Sequence, residues 1–166
     1  MIRMAAIALT LLALGGCGLR PMYAGGSQGA VATTLRSVTV APIEGQAGWL
    51  VRNKLIDRLG ESGSGPMAYR LDVTLDDRIT SFGIRGDRAA TQERRTLRAR
   101  YQLVETRSGT VVLDATAGSD AGIDIVSSEY ATVAAEQTAL ENLSNILADQ
   151  IAARLALYAS RTAPAR

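Results

Sequence analysis

Between Tyr69 and Ala117 apolar and polar residues alternate through three successive stretches, and few folds accept that pattern. Tyr69, Leu71, Val73, Leu75 and Ile79 alternate with Arg70, Asp72, Thr74, Asp76 and Arg78. Leu97, Ala99, Tyr101 and Leu103 alternate with Arg98, Arg100 and Gln102, and after the Ser108-Gly109 turn signal Val111, Leu113, Ala115 and Ala117 continue the pattern. Successive side chains of a strand point to opposite faces, so each stretch reads as a strand with one dry face and one wet face. Three such strands in succession predict an antiparallel meander whose dry face needs a cover.

Two helical patterns supply the cover. Trp49, Leu50, Leu55, Ile56 and Leu59 follow helical spacing and predict a helix from about Ala47 to Glu61, ended near Gly60. Leu140, Leu143, Leu147, Ile151 and Leu155 form the apolar stripe of a longer helix, with Ser128 as its cap and Tyr158 near its end. A further short strand from Leu35 to Ile43 precedes both. The expected fold is therefore α+β: two helices packed on one face of a four-stranded, mostly antiparallel sheet, a two-layer α/β sandwich. A helix between the first two strands allows them to be parallel neighbours. Gly118 to Ser128 reads as a loop. The glycines Gly60, Gly63 and Gly65 leave a helix and enter a strand, the reverse of a phosphate-binding loop, and read as a linker.

The side chains present exclude most catalysis. Histidine is absent, and cysteine occurs once, at Cys17. Imidazole bases and the common zinc ligand sets are therefore lacking, and nothing calls for a cofactor or a metal. A Ser-Lys pair would have to use Lys54, the only lysine, on a helix surface. Asp76 and Asp77 are adjacent on a strand, so they point to opposite faces and cannot share a substrate. The expectation is a protein that is not an enzyme.

Cys17 carries a different message. Met1 to Leu14 has one charge, Arg3, and an apolar run too short to span a bilayer as a helix. Leu14-Gly15-Gly16-Cys17 then resembles the bacterial lipobox, which implies cleavage before Cys17 and acylation, including palmitate, of that residue. Each buried methylene contributes about 0.8 kcal/mol, so several chains make a lasting membrane anchor. Gly18 in place of aspartate implies outer-membrane sorting, facing the periplasm. The expected division is a signal peptide over 1–16, a lipidated tether over 17–34, one domain over 35–159 and a disordered tail over 160–166.

Seven arginines lie between Arg78 and Arg100 against Asp87 and Glu93, in a chain of formal net charge +2. Arg85, Arg88, Arg94, Arg95, Arg98 and Arg100 are the candidate anion-binding residues. Arg98 and Arg100 share a strand face, where their forked donors could grip phosphate or carboxylate. With only one tryptophan and few other aromatics for stacking, nucleic acid is not an expected partner.

Cys17-Gly18-Leu19-Arg20-Pro21-Met22-Tyr23 is similar to the opening of lipopolysaccharide-assembly lipoproteins, the LptE family, particularly those of alphaproteobacterial type. The order of strand, helix, three strands and an Ala/Leu-rich helix with Ala134-Ala135 and Leu140-Glu141-Asn142-Leu143 resembles that family over nearly the whole mature chain. The resemblance implies the plug and assembly subunit of an outer-membrane β-barrel, LptD-like, that delivers lipopolysaccharide to the outer leaflet. Its partners would be that barrel, lipopolysaccharide and the membrane through the lipid anchor. The sequence also leaves open a periplasmic adaptor lipoprotein that activates a cell-wall synthase or assists a lipid transporter.

Overall fold

The computed structural model describes residues 29–60, 66–84 and 90–162. The expected leader, Cys17, the tether up to residue 28, Gly63, Gly65, Arg85, Arg88 and the last four residues lie outside the described residues. The elements are α1 (Ala30–Arg36), β1 (Val38–Val40), α2 (Gly45–Leu59), β2 (Tyr69–Ile84), β3 (Ala90–Glu105), β4 (Val111–Asp124) and α3 (Glu129–Thr162). Among the described helices none is long and apolar enough to cross a membrane.

The strands lie in the order β1-β2-β3-β4. β1 is parallel to β2, with Thr39 opposite Arg70, and the other pairs form the expected antiparallel meander. All three long strands keep one parity: Leu71, Leu103 and Leu113 stand abreast on the dry face, as do Leu75, Ala99 and Ala117. Leu71, Leu97, Ala99, Tyr101 and Leu103 are buried beneath Val51 and Leu55 of α2 and Leu140, Leu143, Leu147, Ile151 and Leu155 of α3. The α+β sandwich expected from the alternation is the fold observed.

The structure adds a third helix. Residues 30–34, expected as tether, begin α1, because Thr33 and Thr34 turn their hydroxyls back onto the carbonyls of Gly29 and Ala30 (3.1 and 2.9 Å) while Leu35 drops into the core. Their small side chains suit a helix as much as a linker, and Val31 packs against the core. The first strand, expected from Leu35 to Ile43, is confined to Val38–Val40 because Leu35 and Arg36 complete α1, whereas the other three strands are longer than their alternation. β2 and β3 stay paired out to Ile84 and Ala90, and β4 continues through Gly118, Ser119 and Gly122, all expected in loops. Register with β3 overrides the weak strand preference of those residues.

α2 stops at Gly60, whose φ of 85° suits glycine and whose N–H donates to the Ile56 carbonyl at 3.1 Å. α2 and α3 run in the same direction. Gln46 donates to Gln137 at one end, Arg58 donates to Asp149 at the other, and both pairs are 91 residues apart in sequence. At 34 residues α3 is about 51 Å long, enough to run along the whole sheet. Near its start the Glu136 carbonyl accepts from Arg95 of β3; near its end Tyr158 meets Tyr69 of β2 edge-on, ring centres 6.2 Å apart.

Candidate functional site on the open face of the sheet

The face of the sheet turned away from the helices is polar along its length. β2 contributes Arg70, Asp72, Thr74, Asp76 and Arg78; β3 contributes Arg94, Thr96, Arg98, Arg100 and Gln102; β4 contributes Asp114, Thr116, Gly118 and Asp120. Opposite charges on one sheet face attract, and here they pair both along β2, between residues two apart, and across from β3 to β4. Arg70 grips Asp72 through Nε and Nη2 at 2.8 and 2.9 Å, Arg78 holds Asp76 at 2.8 Å, and Arg94 reaches Asp120 at 3.8 Å while its guanidinium lies 5.4 Å from the Phe82 ring centre.

Arg100 makes the tightest of these arrangements. Its Nη2 donates to Asp114 Oδ2 at 2.7 Å, and Gln102 Nε2 donates to the same oxygen at 2.8 Å. Those two hydrogen bonds, the arginine's first, hold the Asp114 carboxyl down to about 2.

Arg98 is the exception. It stands between Asp76 on β2 and Gly118 on β4 in the register, yet Asp76 is engaged by Arg78 and Gly118 has no side chain. Among the described arginines of this face, Arg98 alone has no carboxylate within ion-pair distance. It lines an open groove of about 710 Å³ together with Thr74, Asp76, Arg100, Thr116 and Gly118. The Arg98 guanidinium thus keeps its forked donors, the geometry that phosphate and carboxylate groups accept, in a groove that also carries the Thr74 and Thr116 hydroxyls beside Arg100.

The six arginines nominated from the sequence therefore separate. Arg94, Arg98 and Arg100 share the open face. Arg85 and Arg88 lie outside the described residues. Arg95 is on the opposite face, between sheet and α3, where Nε and Nη2 grip Asp77 at 2.9 and 2.6 Å and Nη1 donates to the Glu136 carbonyl at 2.9 Å. Its side chain is only 12% exposed, so it is a fastener between layers and not a ligand for the open face. Asp76 and Asp77 do point to opposite faces, each with its own arginine. Sequence reasoning missed Thr74, Thr116 and Gly118, whose only signal is their register: the two threonines flank Arg100, and Gly118 lies opposite Arg98.

Gln150 of α3 reaches round the outer edge of β4. The Gly118 N–H donates to Gln150 Oε1 at 3.1 Å, and Gln150 Nε2 donates back to the Gly118 carbonyl at 3.4 Å. The side-chain amide thus takes the place of a neighbouring strand at the residue beneath Arg98.

The comparisons with known proteins agree with this architecture. A lipoprotein of Caulobacter crescentus CB15 has a solved structure 26% identical in sequence, with a TM-score of 0.69 over 82% of this chain and 100% of its own. A minor lipoprotein of Acinetobacter baumannii is 14% identical, with a TM-score of 0.52 over 73% of this chain and 92% of its own, and shows the fold alone. Rare lipoprotein B of Shewanella oneidensis, 10% identical with a TM-score of 0.50 over 75% and 94%, does the same. No curated protein matches the chain. The family model LptE, described as lipopolysaccharide-assembly, matches residues 35–155, which is most of the chain and takes in all of the sheet, α2, and α3 as far as Leu155. The chain belongs to the LptE lipopolysaccharide-assembly family.

Proposed function

We propose that this protein is a lipid-anchored subunit of the outer-membrane lipopolysaccharide translocon, seated as a plug in an LptD-like β-barrel and contacting lipopolysaccharide through Arg98 on the open face of the sheet. The family membership supplies the process. The observation that carries the molecular reading is the polar open face, on which Arg98 alone among the described arginines is left unpaired. A domain inside a water-filled barrel must present polar surface outward on more than one side, and lipopolysaccharide carries phosphate and carboxylate groups that a free guanidinium can grip. The mechanism is binding and scaffolding, with no bond made or broken. Cys17, acylated and facing the periplasm, would hold the domain at the outer membrane.

Extraction of native membranes in mild detergent tests the reading. A large barrel protein is expected to co-purify with this chain, and depletion should lower surface lipopolysaccharide. Recovery of the chain alone, or depletion that damages the cell wall while surface lipopolysaccharide stays normal, would overturn it in favour of an adaptor role.

A further inference from the structure

The single tryptophan of the chain is not used in the core. Trp49 is 64% exposed on α2, beside a groove of about 320 Å³ between α2 and α3. Leu50, Asn53, Lys54 and Asp57 of α2 line it beside Trp49, and Glu141 and Asn145 line it from α3, so the groove combines an apolar patch with polar side chains. The side chains of Asn53, Lys54, Asp57 and Asn145 make no hydrogen bond or ion pair to other described residues. Both ends of the groove are closed by bridges between the helices. Gln46 donates to Gln137, which donates to Glu141 Oε1 at 3.2 Å, and at the far end Arg58 joins Asp149 and the Asn145 carbonyl.

We propose that this groove is a saccharide-binding site, in which a neutral pyranose ring stacks on Trp49 while Asn53, Asp57, Glu141 and Asn145 hydrogen-bond its hydroxyls. A pyranose has an apolar C–H face and a rim of hydroxyls, each both donor and acceptor. Its receptor needs one broad aromatic face and, at right angles to it, amides and carboxylates of fixed position. The parallel helices bring both kinds of group to one groove, because Trp49, Asn53 and Asp57 follow at successive helical turns along one face of α2 and Glu141 and Asn145 do so on α3. The volume lies at the small end of ligand sites, which run from about 300 to 1,000 Å³. An apolar protein anchor would bury these four polar side chains without partners, which is unfavourable. Phosphate is disfavoured as well, since Asp57 and Glu141 outnumber Lys54. The site is separate in place and chemistry from Arg98, and it does not rest on the function proposed above.

Because Trp49 is the only tryptophan, indole fluorescence of the full chain reports on this groove alone. Two probes distinguish the sources of such a ring: chitotetraose for a free glycan strand, and dephosphorylated core oligosaccharide for the sugar of a glycolipid. A saturable change in emission with either probe, at a midpoint of about 1 mM as suits a small polar ligand, is the expected result. Asn53→Ala with Asn145→Ala should weaken it about tenfold or more, and Arg98→Ala should leave it unchanged. Calorimetry on Trp49→Ala, a substitution at an exposed position that spares the core, should show binding lost. No saturable change with either probe at about ten times that midpoint, or binding undiminished in both groove variants, would overturn the proposal. Neither result bears on the anion site, which Arg98 variants test.

Discussion

Arg98 lies across Gly118: a Cβ placed on Gly118 would come within 2.6 Å of Arg98 Nη1. The glycine therefore provides the bed in which the unpaired guanidinium rests. A residue of any other type at that register position would share the space with it.

Reversing the charge with Arg98→Glu is expected to weaken binding of lipopolysaccharide at least tenfold, as loss of one charge-assisted contact does. Because Arg98 has no intramolecular carboxylate partner, the neutral variant Arg98→Ala should keep its unfolding free energy within about 0.5 kcal/mol of the parent. Arg100→Glu should weaken binding too, but with a stability loss, since Asp114 is then opposed by a like charge. Binding that survives both substitutions would retire the open-face site.

Gly118→Val keeps the arginine but takes away its bed. The nearest atoms are the far end of a flexible side chain, which can swing aside. The expected outcome is a folded protein with the same loss of anion binding as Arg98→Ala, measured by titration alongside a thermal melt.

Arg95→Ala should behave in the opposite way. It leaves Asp77 and the Glu136 carbonyl without their donor between two packed layers, at a cost of about 2 kcal/mol. Anion affinity per folded molecule should not change. Denaturant unfolding with a parallel binding assay on the same samples separates the two effects.

Asp114 gives a pH prediction with a definite sign. Its folded carboxyl is held at about 2 by Arg100 and Gln102, below the ordinary value of about 3.9 for an unfolded chain. The stabilisation this provides is present above the unfolded value and fades as pH falls from about 4 toward 2. Carboxyl resonances followed by NMR should place Asp114 near the bottom of that window in the parent, and return it toward the ordinary range in Arg100→Gln.

The layered fold was legible because burial writes itself into sequence where one face is dry. Tyr69 to Leu75, Leu97 to Leu103 and Leu140 to Leu155 each display a single uninterrupted period, and the structure places each on the core side. The far halves of the strands were not legible. Asp77, Arg95 and Gly118 occupy strand positions for reasons of register, ion pairing and close approach, none of which leaves a period to read. The candidate site was half legible for the same reason. Arg98 and Arg100 could be assigned to one face by parity, and the same parity sends Arg95 to the other layer once β3 extends that far, whereas the freedom of Arg98 depends on which side chains stand across the sheet. The strand carrying Asp114, Gly118 and Asp120 decides that, and its pairing is a property of three dimensions.

The neutralisation of the open face in place also has a kinetic side. Arg70, Arg78, Arg94 and Arg100 are each matched by a carboxylate a few ångströms away, so their fields cancel well inside the Debye length of about 8 Å at physiological salt. Among the described residues this face therefore casts no broad positive potential of its own, and it should neither steer a polyanion from a distance nor speed encounters at low ionic strength. On the proposed reading, anionic groups would be selected on contact, at one guanidinium, and selectivity would be expressed in how long they stay.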